Sequence, residues 1–296
     1  MITVNLKGGL GNQMFQYALG RELAVTQKTG LKLDRTGYDR EHFRAYGLKV
    51  FAIEENFANH QEIKKNKYSL GLASKAWRGF KFKILRVHHT GWEPRVISRI
   101  KKEMAQGKDI YLDGYWQSFK YFSDIKEVIQ KDFTLKTPLD QTNPELLNQI
   151  TTTNSVSLAV RRTDYLLTTN LKGLGICSAN YYKKAIELIE TKIENPAFFV
   201  FSDDVDWVKA NMKFNSHLVT YVSENKQEKE LTDYQELVLM SKCKHNIIAN
   251  SSFSWWGAWL NENPNKIVIA PDIWFNNGSI KIDDIIPPTW TKLPRN

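Results

Sequence analysis

Cysteine is scarce: Cys177 and Cys243 are the only two, far apart, and match neither a zinc-ligand nor a redox spacing. That removes a disulfide framework, and two buried free thiols are expected, with a single disulfide as the alternative. No apolar run reaches the length of about 20 residues that spans a bilayer. The most apolar stretch, FSWWGAWL at 253–260, is short and broken by Ser254 and Gly257. The opening MITVNLKGG lacks the basic start, apolar centre and small-residue cleavage site of a signal peptide, so a cytoplasmic protein is expected. There is no Ser-His-Asp signature, no Gly-x-Ser-x-Gly elbow, no Walker loop and no histidine cluster with metal spacing. Internal repeats are absent, and 16 glycines and 9 prolines among 296 residues exclude a collagen-like or low-complexity chain.

Acidic residues are missing from Ile63 to Trp92, where eight basic ones stand: Lys64, Lys65, Lys67, Lys75, Arg78, Lys81, Lys83 and Arg86. Trp77, Phe80, Ile84 and His88 recur among them at near-helical spacing, which predicts a basic amphipathic helix. A solvated basic face and peripheral contact with an anionic membrane surface explain this run equally well. No recognition motif accompanies the charge, so nucleic acid is not expected as a partner.

What is present is a soluble globular composition, 42% hydrophobic and 25% charged, long enough for two domains. ITVNL, KGGLGNQ, the helical run at 14–30 and LKLD give a βαβ opening, and DIYLDGYW at 109–116 reads as a further strand finishing near Gln117. In the second half SVSLAV, AFFVFS, HLVTYV, HNIIAN and KIVIAP alternate with helical patterns, as in a parallel sheet covered on both faces. A domain change is expected between 136 and 154, giving domains 1–145 and 146–296.

Ligands bind such sheets at the carboxyl ends of the strands. Three of these ends are polar: RRTDY at 161–165, SDD at 202–204 and NSSFS at 250–254. Arg161 and Arg162 follow a buried strand and suit phosphate, because a guanidinium stays charged and donates two parallel hydrogen bonds; a surface ion pair is the plain alternative. Asp164 is a catalytic candidate, placed to orient an arginine, with a general-base role as the alternative. Asp203 and Asp204 suit the N–H edge of a base or ribose hydroxyls, while Asp204 with Asp206 forms an Asp-x-Asp pair able to hold a divalent cation. Helix capping by an aspartate fits the same place. Ser251, Ser252 and Phe253 open a helix whose N-terminal N–H groups favour phosphate. Trp255, Trp256 and Trp259 read as core. GGLGNQ misses the dinucleotide fingerprint, because Met14 stands where its third glycine belongs. Its glycines still let backbone approach a ligand closely, with Asn12 and Gln13 offering side-chain amides.

With these segments placed, the chain resembles the α-1,2-fucosyltransferases of bacteria and animals. GGLGNQMFQYALG at 8–20, LDGYWQSFKYF at 112–122, VRRTDY at 160–165 and MSKCKHNIIANSSFSWWGAWLN at 240–261 carry the likeness. The resemblance implies a GT-B-like α/β fold, two Rossmann-like domains with parallel sheets facing a cleft, the first on the acceptor side and the second binding GDP-fucose. It implies an inverting galactoside 2-α-L-fucosyltransferase acting on a galactose-terminated glycan acceptor such as an O-antigen, with no cofactor and no metal. Arg161 corresponds to the residue that stabilises the departing GDP, with Arg162 and Asp164 in the same motif. Asn12 faces donor and acceptor; Gln13 and Gln117 are expected on the acceptor side; Asp203, Asp204, Ser251, Ser252 and Phe253 on the nucleotide. Ala159 stands where the family usually has histidine, Thr163 where it has glycine, and Phe119 where an acidic residue is common. A metal-dependent glycosyltransferase using Asp204 and Asp206, and a non-catalytic nucleotide-sugar-binding protein, are the alternatives.

Overall fold

The computed structural model describes residues 1–39, 45–68, 84–89, 91–139, 144–167, 172–215, 218–224, 232–278 and 280–296. Two compact units result, Met1–Lys136 and Thr137–Asn296.

The first unit contains β1 (Ile2–Asn5), α1 (Leu10–Thr26), β2 (Leu31–Asp34), α2 (His60–Tyr68), β3 (Ile84–His89), α3 (Pro94–Ala105), β4 (Asp109–Gly114) and α4 (Lys126–Asp132). Its four strands pair in parallel in the order β2-β1-β4-β3. Helix α1 lies deep, with Met14, Phe15, Tyr17, Leu19 and Leu23 fully buried. It comes this close because Gly20 has no side chain: a Cβ there would sit 2.4 Å from Val4 Cγ2 and 2.8 Å from Leu31 Cδ1.

Two expectations fail in this unit. The helical spacing read through Ile84 and His88 is overridden, because those residues lie in strand β3, in register with Asp109 to Gly114 of β4. An open edge of β4 offers backbone hydrogen bonds that a local helical preference does not outweigh. Lys75, Arg78, Lys81 and Lys83 of the basic run, with Trp77 and Phe80, lie outside the described residues. Strand β4 stops at Gly114 instead of continuing toward Gln117, and Trp116, fully buried, takes a left-handed φ of 54°.

The second unit contains α5 (Pro144–Thr152), β5 (Asn154–Val160), α6 (Ala179–Lys192), β6 (Pro196–Ser202), α7 (Val205–Asn211), β7 (Val219–Tyr221), α8 (Asp233–Lys242), β8 (His245–Ile247), α9 (Ser252–Leu260), β9 (Val268–Pro271), α10 (Ile282–Ile285) and β10 (Thr291–Leu293). All six strands are parallel, ordered β10-β9-β8-β5-β6-β7. Val156, Leu158, Phe198 and Val200 form the centre of the core with Tyr181 and Ile186 of α6. Complete burial of a side chain such as Phe198 is worth about 1.5–3 kcal/mol. Strand β10 is unforeseen: Thr291 and Leu293 are half-buried, Lys292 is exposed, and the strand pairs with β9. Trp255 and Trp256 are fully buried and Trp259 nearly so, as core residues. Cys177 and Cys243 are buried free thiols.

Both units thus have parallel α/β architecture, and in each the first strand is internal. The chain builds outward on one side of β1 or β5 and then crosses to the other. Each sheet therefore has a switch in strand order, between β1 and β4 and between β5 and β8, and a crevice for ligands is expected at such a point. Among the described residues no helix is long and apolar enough to cross a membrane.

Candidate active site

The switch point of the second sheet is flanked by the two most distinctive loops of the chain. RRTDY leaves β5 and NSSFS follows β8; they are tied by the Tyr165 hydroxyl, which donates to the Asn250 carbonyl at 3.3 Å. Burial pushes the Tyr165 hydroxyl up to about 12, so it stays a donor at any working pH. A pocket beside these loops is lined by Arg161, Ser202, Asp203, Glu236, Ser251 and Phe253, with apolar walls from Phe201, Met240 and Ala249.

Asp203 organises the arginine loop. Its Oδ1 accepts from Arg162 N at 2.8 Å, and its Oδ2 accepts from Thr163 N at 3.1 Å and Thr163 Oγ1 at 2.7 Å. The same Oδ2 lies 3.3 Å from Arg161 Nε, and Asp164 Oδ2 lies 2.8 Å from an Arg161 terminal nitrogen. Arg161 is thus held by two carboxylates and remains one-third exposed. Burial, the largest single influence, pulls its pKa down, but the Asp164 hydrogen bond and the nearby carboxylate charges raise it overall. The result is a fixed, permanently charged fork at the pocket wall.

Arg162 points elsewhere. Its guanidinium stacks 3.8 Å from the centre of the Trp207 ring and its Nε lies 3.3 Å from Asp204 Oδ2. Asp204 caps α7, accepting from Trp207 N at 3.1 Å through Oδ1. Arg162, Asp204 and Ser252 are therefore not part of the pocket lining, in contrast to Arg161, Asp203, Ser251 and Phe253. Both oxygens of Asp204 have protein partners and Asp206 is exposed in the first turn of α7, so the Asp-x-Asp pair does not present a ready cation site. Among the described residues no three His, Cys, Asp or Glu side chains converge as metal ligands would.

Ser251 caps α9, its side chain accepting from Phe253 N at 3.3 Å. Behind it, Asn250 is 1% exposed and its Nδ2 donates to the carbonyls of Leu174, Gly175 and Trp274. Gly175 is held in a left-handed turn, φ 69°, where a Cβ would strike the Arg295 guanidinium at 2.7 Å. The NSSFS loop is thus anchored from beneath by the C-terminal residues.

In the first unit the switch point lies between the loops after β1 and β4. Gly8, with φ 76°, turns the first of them, and a Cβ there would lie 2.8 Å from Asn12 Nδ2. Asn12 Oδ1 accepts from Gln117 Nε2 at 2.7 Å, joining the two loops. This fixes the Asn12 amide, with its oxygen toward Gln117 and its nitrogen beside Gly8. Gln13 behaves otherwise than expected. It is fully buried, its Nε2 donates to the carbonyls of Gly8 and Ala45, and its Oε1 accepts from Gly47 N. It holds the loop from below and offers an acceptor no surface, because an amide one position past Asn12 on a buried helix faces inward.

Residues 1–294 match the family model described as Glycosyl transferase family 11. The chain belongs to that family. It is similar to an alpha-1,2-colitosyltransferase of Escherichia coli, 34% identical over 298 residues, covering 100% of this chain and 99% of that protein. It also resembles galactoside alpha-(1,2)-fucosyltransferase 1 of Pan troglodytes, 26% identical over 268 residues, 87% of this chain and 64% of that one. Among solved structures, POFUT1 in complex with GDP-fucose superposes with a TM-score of 0.52 at 12% identity, over 91% of this chain and 97% of that one. That likeness concerns the fold, which is GT-B-like. The chain is a family 11 glycosyltransferase.

Ser202 belongs to the polar strand end SDD, whereas Glu236 is not singled out by the sequence, because it sits inside the helical pattern DYQELVLM. Glu236 is nonetheless 8% exposed and faces the pocket.

Proposed function

We propose that this glycosyltransferase moves L-fucose from GDP-fucose to the 2-hydroxyl of a terminal galactose, with inversion at the fucose anomeric carbon and without a metal, during assembly of a surface glycan such as an O-antigen. The observation that carries the reading is the fixed Arg161 fork at the switch point, clamped by Asp164 and Asp203, in a pocket lined by residues of the β5, β6 and β8 loops.

The diphosphate of the donor sits against Arg161 and the N-terminal turn of α9. As the anomeric C–O bond breaks, its electron pair goes to the β-phosphate oxygen, and Arg161 stabilises that growing charge. The galactose 2-hydroxyl oxygen attacks from the opposite face, forms the new glycosidic bond and releases its proton to solvent water. Asp164 orients Arg161 through the 2.8 Å contact, which makes it a positioning residue in place of the base. Asn12, held by Gln117, supplies an amide donor on the acceptor side, the role proposed for the first unit.

A second reading has its own support. A 34%-identical relative is a colitosyltransferase, so transfer of colitose in place of fucose is the alternative. Release of GDP from GDP-fucose, measured with and without lactose in the presence of EDTA, tests the proposal. Lactose-dependent release supports it. Release only from GDP-colitose moves the assignment to the second donor, and restoration only by added manganese overturns the metal-free mechanism.

A further inference from the structure

We propose that Arg295 is a positioning residue for the donor's diphosphate: its buried guanidinium sets the register of the loop that opens α9, although it is not part of the pocket lining; this rests on the GDP-sugar reading above. Arg295 is 4% exposed. Its Nη1 donates to the Leu174 carbonyl at 3.1 Å and its Nη2 to Asn276 Oδ1. Its Nε has no hydrogen-bond partner, and no carboxylate pairs with the guanidinium, among the described residues. The backbone is fastened as well: Arg295 N donates to Asp272 Oδ1 at 2.9 Å, and its carbonyl accepts from Ser178 N at 2.9 Å.

A cation taken out of water without a counter-ion is a poor stabilising device, because a few bonds to neutral acceptors do not repay its desolvation. What a guanidinium does well is hold two acceptors at a fixed separation, since its fork is planar and rigid. Both acceptors belong to the segments beneath the donor loop. The Leu174 carbonyl is shared, because Asn250 Nδ2 also donates to it, at 3.0 Å, as well as to the carbonyls of Gly175 and Trp274.

Asn250 directly precedes Ser251, which caps α9 and lines the pocket. The Asn250 carbonyl in turn accepts from the Tyr165 hydroxyl of the arginine loop. One shared carbonyl and one side chain thus separate Arg295 from the backbone that presents the α9 N–H groups. The fit has no slack. Gly175, with φ 69°, lies so close that a Cβ there would be 2.7 Å from both the Arg295 guanidinium and Asn276 Oδ1. Removing the guanidinium frees Leu174 to shift and Asn250 to follow, and N–H groups that meet a phosphate serve it only when they are aimed.

Arg295→Met and Arg295→Lys in the full chain, compared by GDP calorimetry, steady-state kinetics and thermal unfolding, test this. Methionine replaces a buried charge by apolar volume, so the melting temperature should stay within about 3 °C of the wild type. GDP affinity should nonetheless fall about 10-fold, with KM for lactose within about two-fold of normal. Lysine keeps the charge but cannot bridge Leu174 and Asn276 together, and should restore only part of the GDP affinity. Unchanged GDP affinity in Arg295→Met overturns the inference. So does an equal loss toward GDP and lactose with a fall in melting temperature, which would make Arg295 merely structural. If Arg295→Met fails to fold, hydrogen exchange of the wild type decides. By the reciprocity of linkage, GDP should slow the Ser178 and Arg295 amides about five-fold or more. Slowing at residues 251–253 alone overturns the coupling. A wild type that does not bind GDP overturns the donor reading itself, and this inference with it.

Discussion

Asp203 holds Thr163 by two hydrogen bonds to the same oxygen, from the backbone nitrogen at 3.1 Å and the hydroxyl at 2.7 Å. The threonine replaces the glycine usual in related fucosyltransferases, and in this chain it adds a side-chain bond to the anchor of the arginine loop. Asp203 also accepts from Arg162 N and lies beside Arg161 Nε. Its place between the nucleotide pocket and the loop makes it a support for Arg161 first.

Asp203→Asn should therefore reduce kcat/KM by about 10- to 100-fold, because an amide nitrogen cannot accept from the donors that converge on Oδ2. Stability should fall by about 1–3 kcal/mol, the cost of leaving part-buried donors without partners. Thr163→Gly, which removes only the hydroxyl bond, should cost about 1 kcal/mol or less and leave turnover near normal. Steady-state kinetics with thermal unfolding of both variants checks this; equal losses from the two would overturn the anchoring role of Asp203.

Arg161→Ala should nearly abolish transfer, lowering kcat/KM by about 100- to 1000-fold, the usual loss of a donor to a developing oxyanion. Arg161→Lys keeps the charge but cannot bridge Asp164 and Asp203 at once. It should recover only a small part of the activity. Near-normal turnover in either variant contradicts the leaving-group role.

Gln117→Leu removes the group that orients Asn12. If Asn12 serves the acceptor side, the defect should appear as a raised KM for lactose with unchanged GDP affinity. Asn12→Ala should behave alike, and the double variant should be no worse than the single ones, because contacting residues are not additive. A loss of GDP affinity equal to the loss for lactose would place the pair on the donor instead.

The parts of this molecule that could be read from its sequence are those whose cause is local. Apolar runs such as AFFVFS, glycine at the tight turn of Gly8, and the cap at Asp204 each act within a few residues. RRTDY could be placed at a strand end because the preceding run is continuously apolar. What the sequence hides concerns partners far along the chain. No local pattern announces the stacking of the Arg162 guanidinium on Trp207. Gln13 looks like Asn12 until Ala45 and Gly47 close over it. Ile84 and His88 follow helical spacing, yet β4 claims them by pairing. Glu236 is hidden in the same way, because only the crossing of α8 from β7 to β8 brings its first turn to the pocket.

His245 gives a pH prediction with a definite sign. Its Nδ1 accepts from Ile267 N at 3.0 Å, a bond that only the unprotonated nitrogen can make. Burial, chiefly, and the neighbouring charge of Lys244 lower its pKa below the ordinary 6.5. The unfolded chain therefore binds a proton that the folded chain refuses. The stabilisation is fully present above about pH 6.5 and is lost as the pH falls from there through the lowered folded value. The melting temperature should drop between pH 7 and pH 5.5, measured in a buffer of constant ionic strength. His245→Asn keeps an acceptor near the same place but does not titrate, so its melting temperature should change less over that interval than the wild type's. An identical pH slope in the variant would assign the loss to other groups.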